Sequence, residues 1–281
     1  MGRIGNGWQL TKTSLRVLRK DKELLLFPLL SGLAILGILA VFLGGMFVTV
    51  GFGAAFGGDL TWLFAVVMVL YYVVSFFIAF FFNAAIIGAA TIRLNGGNPT
   101  LGDGLRIARE NAGRIFLWAL FAATVAMILR AIQERLGFIG KIILGLVGIA
   151  WSLATYFVVP ILVYEKLGPW AAVKRSAHLF KTTWGETLVG GFSMGVIFVL
   201  LGLAGLLAPL LGFLLGGAFG LVVGLVVMVV YWVVLGLVAS AASSILIAAL
   251  YRYATTGKVA EDFQGLPAFA AARPPSYGTA P

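Results

Sequence analysis

The chain contains no cysteine and a single histidine, His178. The first absence excludes disulfides, thiolate nucleophiles, iron–sulfur clusters and cysteine-based zinc sites, and leaves thiol usage silent about redox compartment. The second excludes any multi-histidine metal centre. Charge is scarce too: 11% of the 281 residues are charged, where about 25% is usual for a globular domain. Acidic side chains are the scarcer sign, 10 against 20 Lys and Arg, for a net charge of +10. What fills the chain instead is hydrophobic, 61% before the 37 glycines are counted. A soluble fold is excluded, and the few charges fall in short stretches between long apolar runs, the distribution of a polytopic membrane protein.

Catalytic sets are missing as well. No pair of carboxylates lies inside the apolar runs, and no Ser-His-acid set can be assembled around His178. No glycine-lysine phosphate loop occurs, and Gly102-Asp103-Gly104 has no strand before it. The sequence reads as a non-enzyme with no cofactor and no metal site. Its basicity suits loops that face anionic lipid, and no nucleic-acid partner is expected.

A helix needs about 20 residues to cross roughly 30 Å of hydrocarbon. Leu24 to Gly58 and Leu60 to Ile92 each supply one long charge-free run, separated by Asp59. A third span begins at Ile115 and ends near Glu134, with Arg130 snorkelling from its last turns. Ile142 to Tyr164 is the fourth. Thr187 to Tyr251 is 65 residues without a charge, enough for two, with a turn expected at Pro209, Gly212, Gly216 and Gly217. The count is six. Seventeen Lys and Arg then fall on one side and only Arg130, Arg135 and Lys141 on the other, which puts both termini in the cytoplasm of a multi-pass cell-membrane protein. The first apolar run far exceeds a signal-peptide core and reads as a retained anchor.

The first and last thirds look like copies. Met68-Val-Leu-Tyr71-Tyr72-Val-Val74 is echoed by Met228-Val-Val-Tyr231-Trp232-Val-Val234, and Trp8, Lys12, Arg16 and Arg19 are echoed 162 residues later by Trp170, Lys174, His178 and Lys181. The middle third has the same plan in weaker form. The expected fold is all-α: a polytopic bundle of six transmembrane helices with amphipathic interfacial helices near 5–20, 102–113 and 170–183, built as parallel repeats of about 5–97, 100–168 and 170–257. Residues 1–257 read as one transmembrane domain and 258–281 as a flexible cytoplasmic tail.

At about 100° per residue, Lys12, Arg16, Arg19 and Lys20 gather on one face of the first amphipathic segment, opposite Leu10, Leu15, Val17 and Leu18. In the third, Lys174, Arg175 and Lys181 gather with His178, opposite Val173, Ala177, Phe180 and Trp184. These seven Lys and Arg are the expected anionic-lipid-binding residues. Gly212, Gly216, Gly220 and Gly224 recur every four residues and form a stripe for close helix packing. Pro160 removes a hydrogen bond to Tyr156 and predicts a kink in the fourth span. Arg130 and Glu134, four apart, predict a snorkelling pair.

The run Asn6-Gly7-Trp8…Ser14…Val17-Leu18-Arg19…Lys22-Glu23-Leu24-Leu25-Leu26-Phe27-Pro28-Leu29-Leu30-Ser31-Gly32, with Leu167-Gly168-Pro169-Trp170…Ser176, resembles an uncharacterised family of prokaryotic integral membrane proteins. More loosely, surface helix plus hairpin resembles the membrane-anchoring domain of some bacterial glycerophosphodiester phosphodiesterases, whose catalytic domain has no counterpart here. The resemblance implies fold and topology, and no activity. The functional expectation is a scaffold or accessory protein whose basic cytoplasmic face engages anionic lipid headgroups, a protein partner or a second copy of the chain. The alternative is a small secondary transporter or channel, for which only Pro160, Ser75, Asn83, Ser240, Ser243 and Ser244 offer mid-span polarity.

Overall fold

The computed structural model describes residues 3–56, 61–183, 193–266 and 269. Among them ten α-helices occur and no strand. They are α1 (Arg3–Lys20), α2 (Leu26–Phe56), α3 (Thr61–Leu94), α4 (Leu101–Glu110), α5 (Ala112–Arg135), α6 (Phe138–Ala154), α7 (Val158–Tyr164), α8 (Pro169–Thr183), α9 (Ser193–Ala204) and α10 (Leu207–Thr256). A 3-10 turn at Lys22–Leu25 joins α1 to α2. Five helical stretches are long and apolar enough to cross a membrane: Lys22–Phe47, Ala65–Leu94, Ala112–Arg135, Gly140–Tyr164 and Met194–Thr256. The chain therefore has the make-up of a multi-pass membrane protein. Of the glycine-rich turn expected at Gly51, Gly53, Gly57 and Gly58 before Asp59, the first two glycines instead continue α2, while Gly57, Gly58 and Asp59, like Trp184 of the third amphipathic segment, lie outside the described residues.

The chain divides into two compact units, one of Met1–Leu26, Ala89–Pro99 and Leu179–Pro281, the other of Phe27–Gly88 and Thr100–His178. Neither coincides with one of the three sequence units: the first draws its helices from the two ends of the chain.

In the first unit α1 packs against α9 and α10. Leu10, Val17 and Leu18 of α1 and Leu24 after it are buried, as are Ala241, Ala242, Ile245, Ala248 and Ala249 of α10. The small side chains let the backbones approach closely. The 63-residue apolar stretch is a hairpin: Gly216 and Gly217 leave helical geometry, and Gly217 has φ 56° and ψ −139°, a conformation open to glycine alone. The arms then run antiparallel at close range. A Cβ on Gly212 would strike the carbonyl oxygen of Gly220, the reverse also holds, and a Cβ on Gly224 would stand 2.5 Å from the carbonyl oxygen of Ala208. Three of the four stripe glycines thus pack within one hairpin. Gly216 does not belong with them: nothing lies within 4 Å of its Cβ position, and it serves the turn.

Pro209 explains the break between α9 and α10. It has no N–H for the carbonyl of Gly205, which instead accepts from Ala208 at 3.2 Å, and Gly205 N–H turns to Gly202 at 3.1 Å. The carbonyl of Leu201, relieved of its helical donor, accepts from the Tyr231 hydroxyl at 2.7 Å, while Trp232 Nε1 donates to Gly202 at 2.9 Å. Order extends past Gly257, where the sequence suggests a loose tail. Phe263 is fully buried, and Phe269 meets it and Tyr253 edge-on at 5.9 and 5.4 Å.

In the second unit α4 is shorter than the sequence suggests, because Asn111 separates it from α5. It packs through Gly104, whose missing side chain makes room for Phe27 and the carbonyl of Ala85, and through Ile107 against Gly88. Trp118 is buried among Phe80, Phe121 and Trp151 at 5.7 to 6.4 Å, tying α3, α5 and α6 together. The fourth span is broken outright rather than kinked: α6 ends at Ala154, and α7 restarts at Val158, two residues before Pro160. The N–H of Phe157, freed by the break, donates to the fully buried Ser176 Oγ of α8 at 2.9 Å.

Candidate functional site

On α1 and α8 buried and exposed positions fall on different faces, and the buried faces are covered by protein; Leu15 and Ala177, expected on the apolar faces, are only half-buried. On α1, Leu10, Thr11, Ser14, Val17, Leu18 and then Asp21 are buried. On α8, Ala172, Val173, Ser176, Leu179, Phe180 and Thr183 are buried. Each of the second set stands 162 positions after a member of the first. Gly7 and Thr13 depart, buried where Pro169 and Arg175 are half-exposed.

The cationic faces point outward. Lys12, Arg16, Arg19 and Lys20 are exposed on α1, and Lys174 and Lys181 on α8. Trp8 and Trp170 are exposed at the start of each helix, and each carries a lysine over its ring: Lys12 Nζ lies 5.0 Å from the Trp8 centroid and Lys174 Nζ 5.5 Å from that of Trp170. Arg19 and Lys20 occupy the last turn of α1, and Lys181 that of α8, where the helix dipole favours positive charge.

Two of the seven expected residues are already paired. Lys20 Nζ meets Asp262 Oδ1 at 2.6 Å, and Arg175 Nε lies 2.9 and 3.2 Å from the two oxygens of Glu165. The sequence reading missed both acidic partners. Glu165 was findable, since with only 10 acidic residues in the chain one lying across a short Gly-Pro loop from a cationic helix invites pairing. Asp262 was not, being 242 residues from Lys20. His178 is exposed on α8, away from any cluster that could hold a metal; among the described residues no group of three or more metal-ligating side chains occurs.

Further basic residues hold helix ends instead of facing outward. Arg93 Nε lies 2.9 Å from the buried Asp21, and Arg93 Nη1 donates to the carbonyl of Gly97 at 3.4 Å. Arg252 donates to the carbonyl of Leu94, and Arg114 to that of Lys166, at 3.1 Å in the second case. Lys166 is left-handed at φ 55°, a conformation that this bond helps to fix. On α4, Thr100 and Asp103 form a reciprocal capping box, and Arg106 lies 3.3 Å from Asp103. Hydrogen bonds from Thr100, side chain before backbone, hold the Asp103 carboxyl below its ordinary pKa, with the Arg106 charge acting the same way. The middle helix thus spends its charge on its own start.

Arg130 and Glu134 are paired at 3.2 Å as their spacing predicts, and Arg130 Nη1 also donates to the hydroxyl of Tyr72 on α3 at 2.8 Å.

Compared with known proteins, the chain matches the model of a family of unknown function (DUF6159) over residues 62–261. That span is most of its length, and the chain belongs to this family. No curated protein and no solved structure matches it.

Proposed function

We propose that this is a non-enzymatic scaffold or accessory protein of the cell membrane, whose cationic helix faces engage anionic phospholipid headgroups on the cytoplasmic side. One observation carries the reading: α1 and α8 bury their apolar faces in protein and leave Lys12, Arg16, Arg19, Lys174 and Lys181 exposed beside Trp8 and Trp170. Tryptophan with a lysine over its ring suits the boundary between hydrocarbon and headgroups. Each such cation near an anionic leaflet contributes about 1 kcal/mol, screened over about 8 Å. Lys20 and Arg175 add less, because Asp262 and Glu165 neutralise them.

Six crossings with both termini cytoplasmic complete the reading. The hairpin at Gly216–Gly217 supports two crossings within Met194–Thr256, and the 17-to-3 distribution of Lys and Arg supports the orientation. Parallel repetition is supported by the shared burial register of α1 and α8 and by their matched lysine–tryptophan pairs. The helices are interfacial by their cations and tryptophans rather than by sinking an apolar face among acyl chains. The likeness to the phosphodiesterase membrane anchor enters as architecture only.

The test changes Arg16, Arg19, Lys174 and Lys181 to Gln, with reporter fusions confirming that orientation is unchanged, and compares the phospholipid retained through detergent extraction. The anionic fraction should fall, and the wild-type fraction should itself fall as salt rises. An unchanged fraction in the variant overturns the lipid reading and leaves the face to an acidic protein partner.

A further inference from the structure

Of the two cationic faces, the one on α1 is the more completely built. Lys12, Arg16 and Arg19 are exposed on it at steps of four and three residues. On a helix those steps stack the three on one side, each about 5 to 6 Å from the next and about 10 Å from end to end. Among the described residues no acidic side chain lies within ion-pairing distance of any of them. The run also has a definite limit at each end. Trp8 stands exposed one turn before Lys12, with the Lys12 ammonium over its ring. Beyond Arg19, Lys20 is taken by Asp262, and Asp21 is buried against Arg93.

The face of α8 differs at the decisive place. Lys174, His178 and Lys181 stand 162 positions after Lys12, Arg16 and Arg19, so an imidazole, not a guanidinium, separates the two lysines. Arg175 is held by both oxygens of Glu165. Each lysine there meets a phosphate as a point charge, two turns from the other. On α1, by contrast, Arg16 and Arg19 are one turn apart, and a guanidinium presents a planar fork that can meet a phosphate through two N–H groups at once. Two forks at that spacing, with a lysine one turn further on, suit two phosphates held close together. Separate lipids would have to be crowded side by side to supply them. A lipid whose two phosphates share a short linker brings the second to its fork as an intramolecular step, at the high effective concentration that a short tether sets.

We infer that α1 carries a site for a phospholipid with two phosphates on one headgroup, the chemistry of cardiolipin. Arg16 and Arg19 hold one phosphate each, and Lys12 adds its charge to the one on Arg16. The exposed ring of Trp8 gives an apolar flank for glycerol and acyl chain, which a soluble bisphosphate would not use. The inference rests on the anionic-lipid reading and narrows it to one headgroup class and one of the two helices.

The test uses the full chain reconstituted into phosphatidylcholine vesicles that hold equal phosphate as cardiolipin and as phosphatidylglycerol, then re-extracted in mild detergent. Cardiolipin should be retained over phosphatidylglycerol by about fivefold per phosphate, the effect of one further cation–phosphate contact. Arg16→Gln/Arg19→Gln, checked for folding by melting and size exclusion, should bring the two lipids level. His178→Arg gives α8 a run of three cations, and the cardiolipin retained per protein should rise. A wild type that enriches both anionic lipids over phosphatidylcholine, equally per phosphate, overturns this inference and leaves the general lipid reading standing. Enrichment of neither overturns both. A cardiolipin preference that survives the loss of both arginines lies elsewhere on the protein and refutes the α1 site. No gain in His178→Arg refutes the argument from three aligned cations.

Discussion

Gly216, Gly217 and Gly220 stand within five residues of one another and have three different reasons to be glycine. Gly217 needs its positive φ, Gly220 needs its missing Cβ because the carbonyl of Gly212 occupies the space, and Gly216 has open surroundings and an ordinary negative φ of −138°. Periodicity saw a single stripe, because a four-residue spacing reports which residues share a face and nothing about where the helix stops. Replacement by alanine should separate them. Gly220→Ala and Gly217→Ala should each cost about 2 kcal/mol, the first by overpacking and the second by backbone strain, whereas Gly216→Ala should fall within about 0.5 kcal/mol of wild type. Melting of the purified protein in detergent decides it, and equal losses at all three positions would refute the assignment of Gly216 to the turn. The cationic residues show the same division between pattern and place. Lys12, Arg16, Arg19, Lys174 and Lys181 are exposed as the wheel predicts, while the ion pairs of Lys20 and Arg175 depend on contacts that a wheel does not contain.

Helices were legible wherever hydrophobic period or length signalled them, and less so where the chain is nearly all apolar. The starts and ends of α1, α3 and α8 lie within two or three residues of the expected ones, since charged residues and a Gly-Pro pair mark them. Inside the apolar runs, Pro160 and Pro209 are the informative residues, and each produces a full break between helices. A kink or a break depends on whether another element can satisfy the freed backbone groups, and that element is remote in sequence: Ser176 for Phe157, Tyr231 for Leu201. Ser14 and Ser176 occupy matching places on α1 and α8, both buried, yet Ser14 Oγ has no hydrogen-bond partner among the described residues. Ser176→Ala should therefore destabilise by about 1 to 3 kcal/mol, leaving the Phe157 N–H buried and unpaired, and Ser14→Ala should be neutral or mildly stabilising. A thermal shift measured on both variants checks the pair; a harmless Ser176→Ala would mean that the α6–α7 break is held by something other than this bond.

For the whole molecule, apolar length and charge placement have to agree on one topology. The long stretches Lys22–Phe47 and Ala65–Leu94 leave little freedom, since each is too apolar to sit in water and too long to stay in one leaflet. The elements that decide between topologies are the last stretch, for which one steeply tilted crossing and two crossings as a hairpin give different C-terminal sides, and the α5–α6 pair, whose connecting end carries Arg135 and Lys141. Crossing once would put the N-terminal side of Met194–Thr256 and its end at Thr256 on opposite faces and reverse the C-terminus. The antiparallel contacts of Gly212 with Gly220, of Gly224 with Ala208, and of Tyr231 with Leu201 favour two crossings, because they bring the arms together along their length. Reporters fused after Gly97 and Gly168, and at either terminus, should then give a cytoplasmic signal, and reporters after Gly137 and Gly217 the opposite one. A cytoplasmic signal at Gly217 would leave the last hairpin on one side of the membrane. A cytoplasmic signal at Gly137 would do the same for α5–α6.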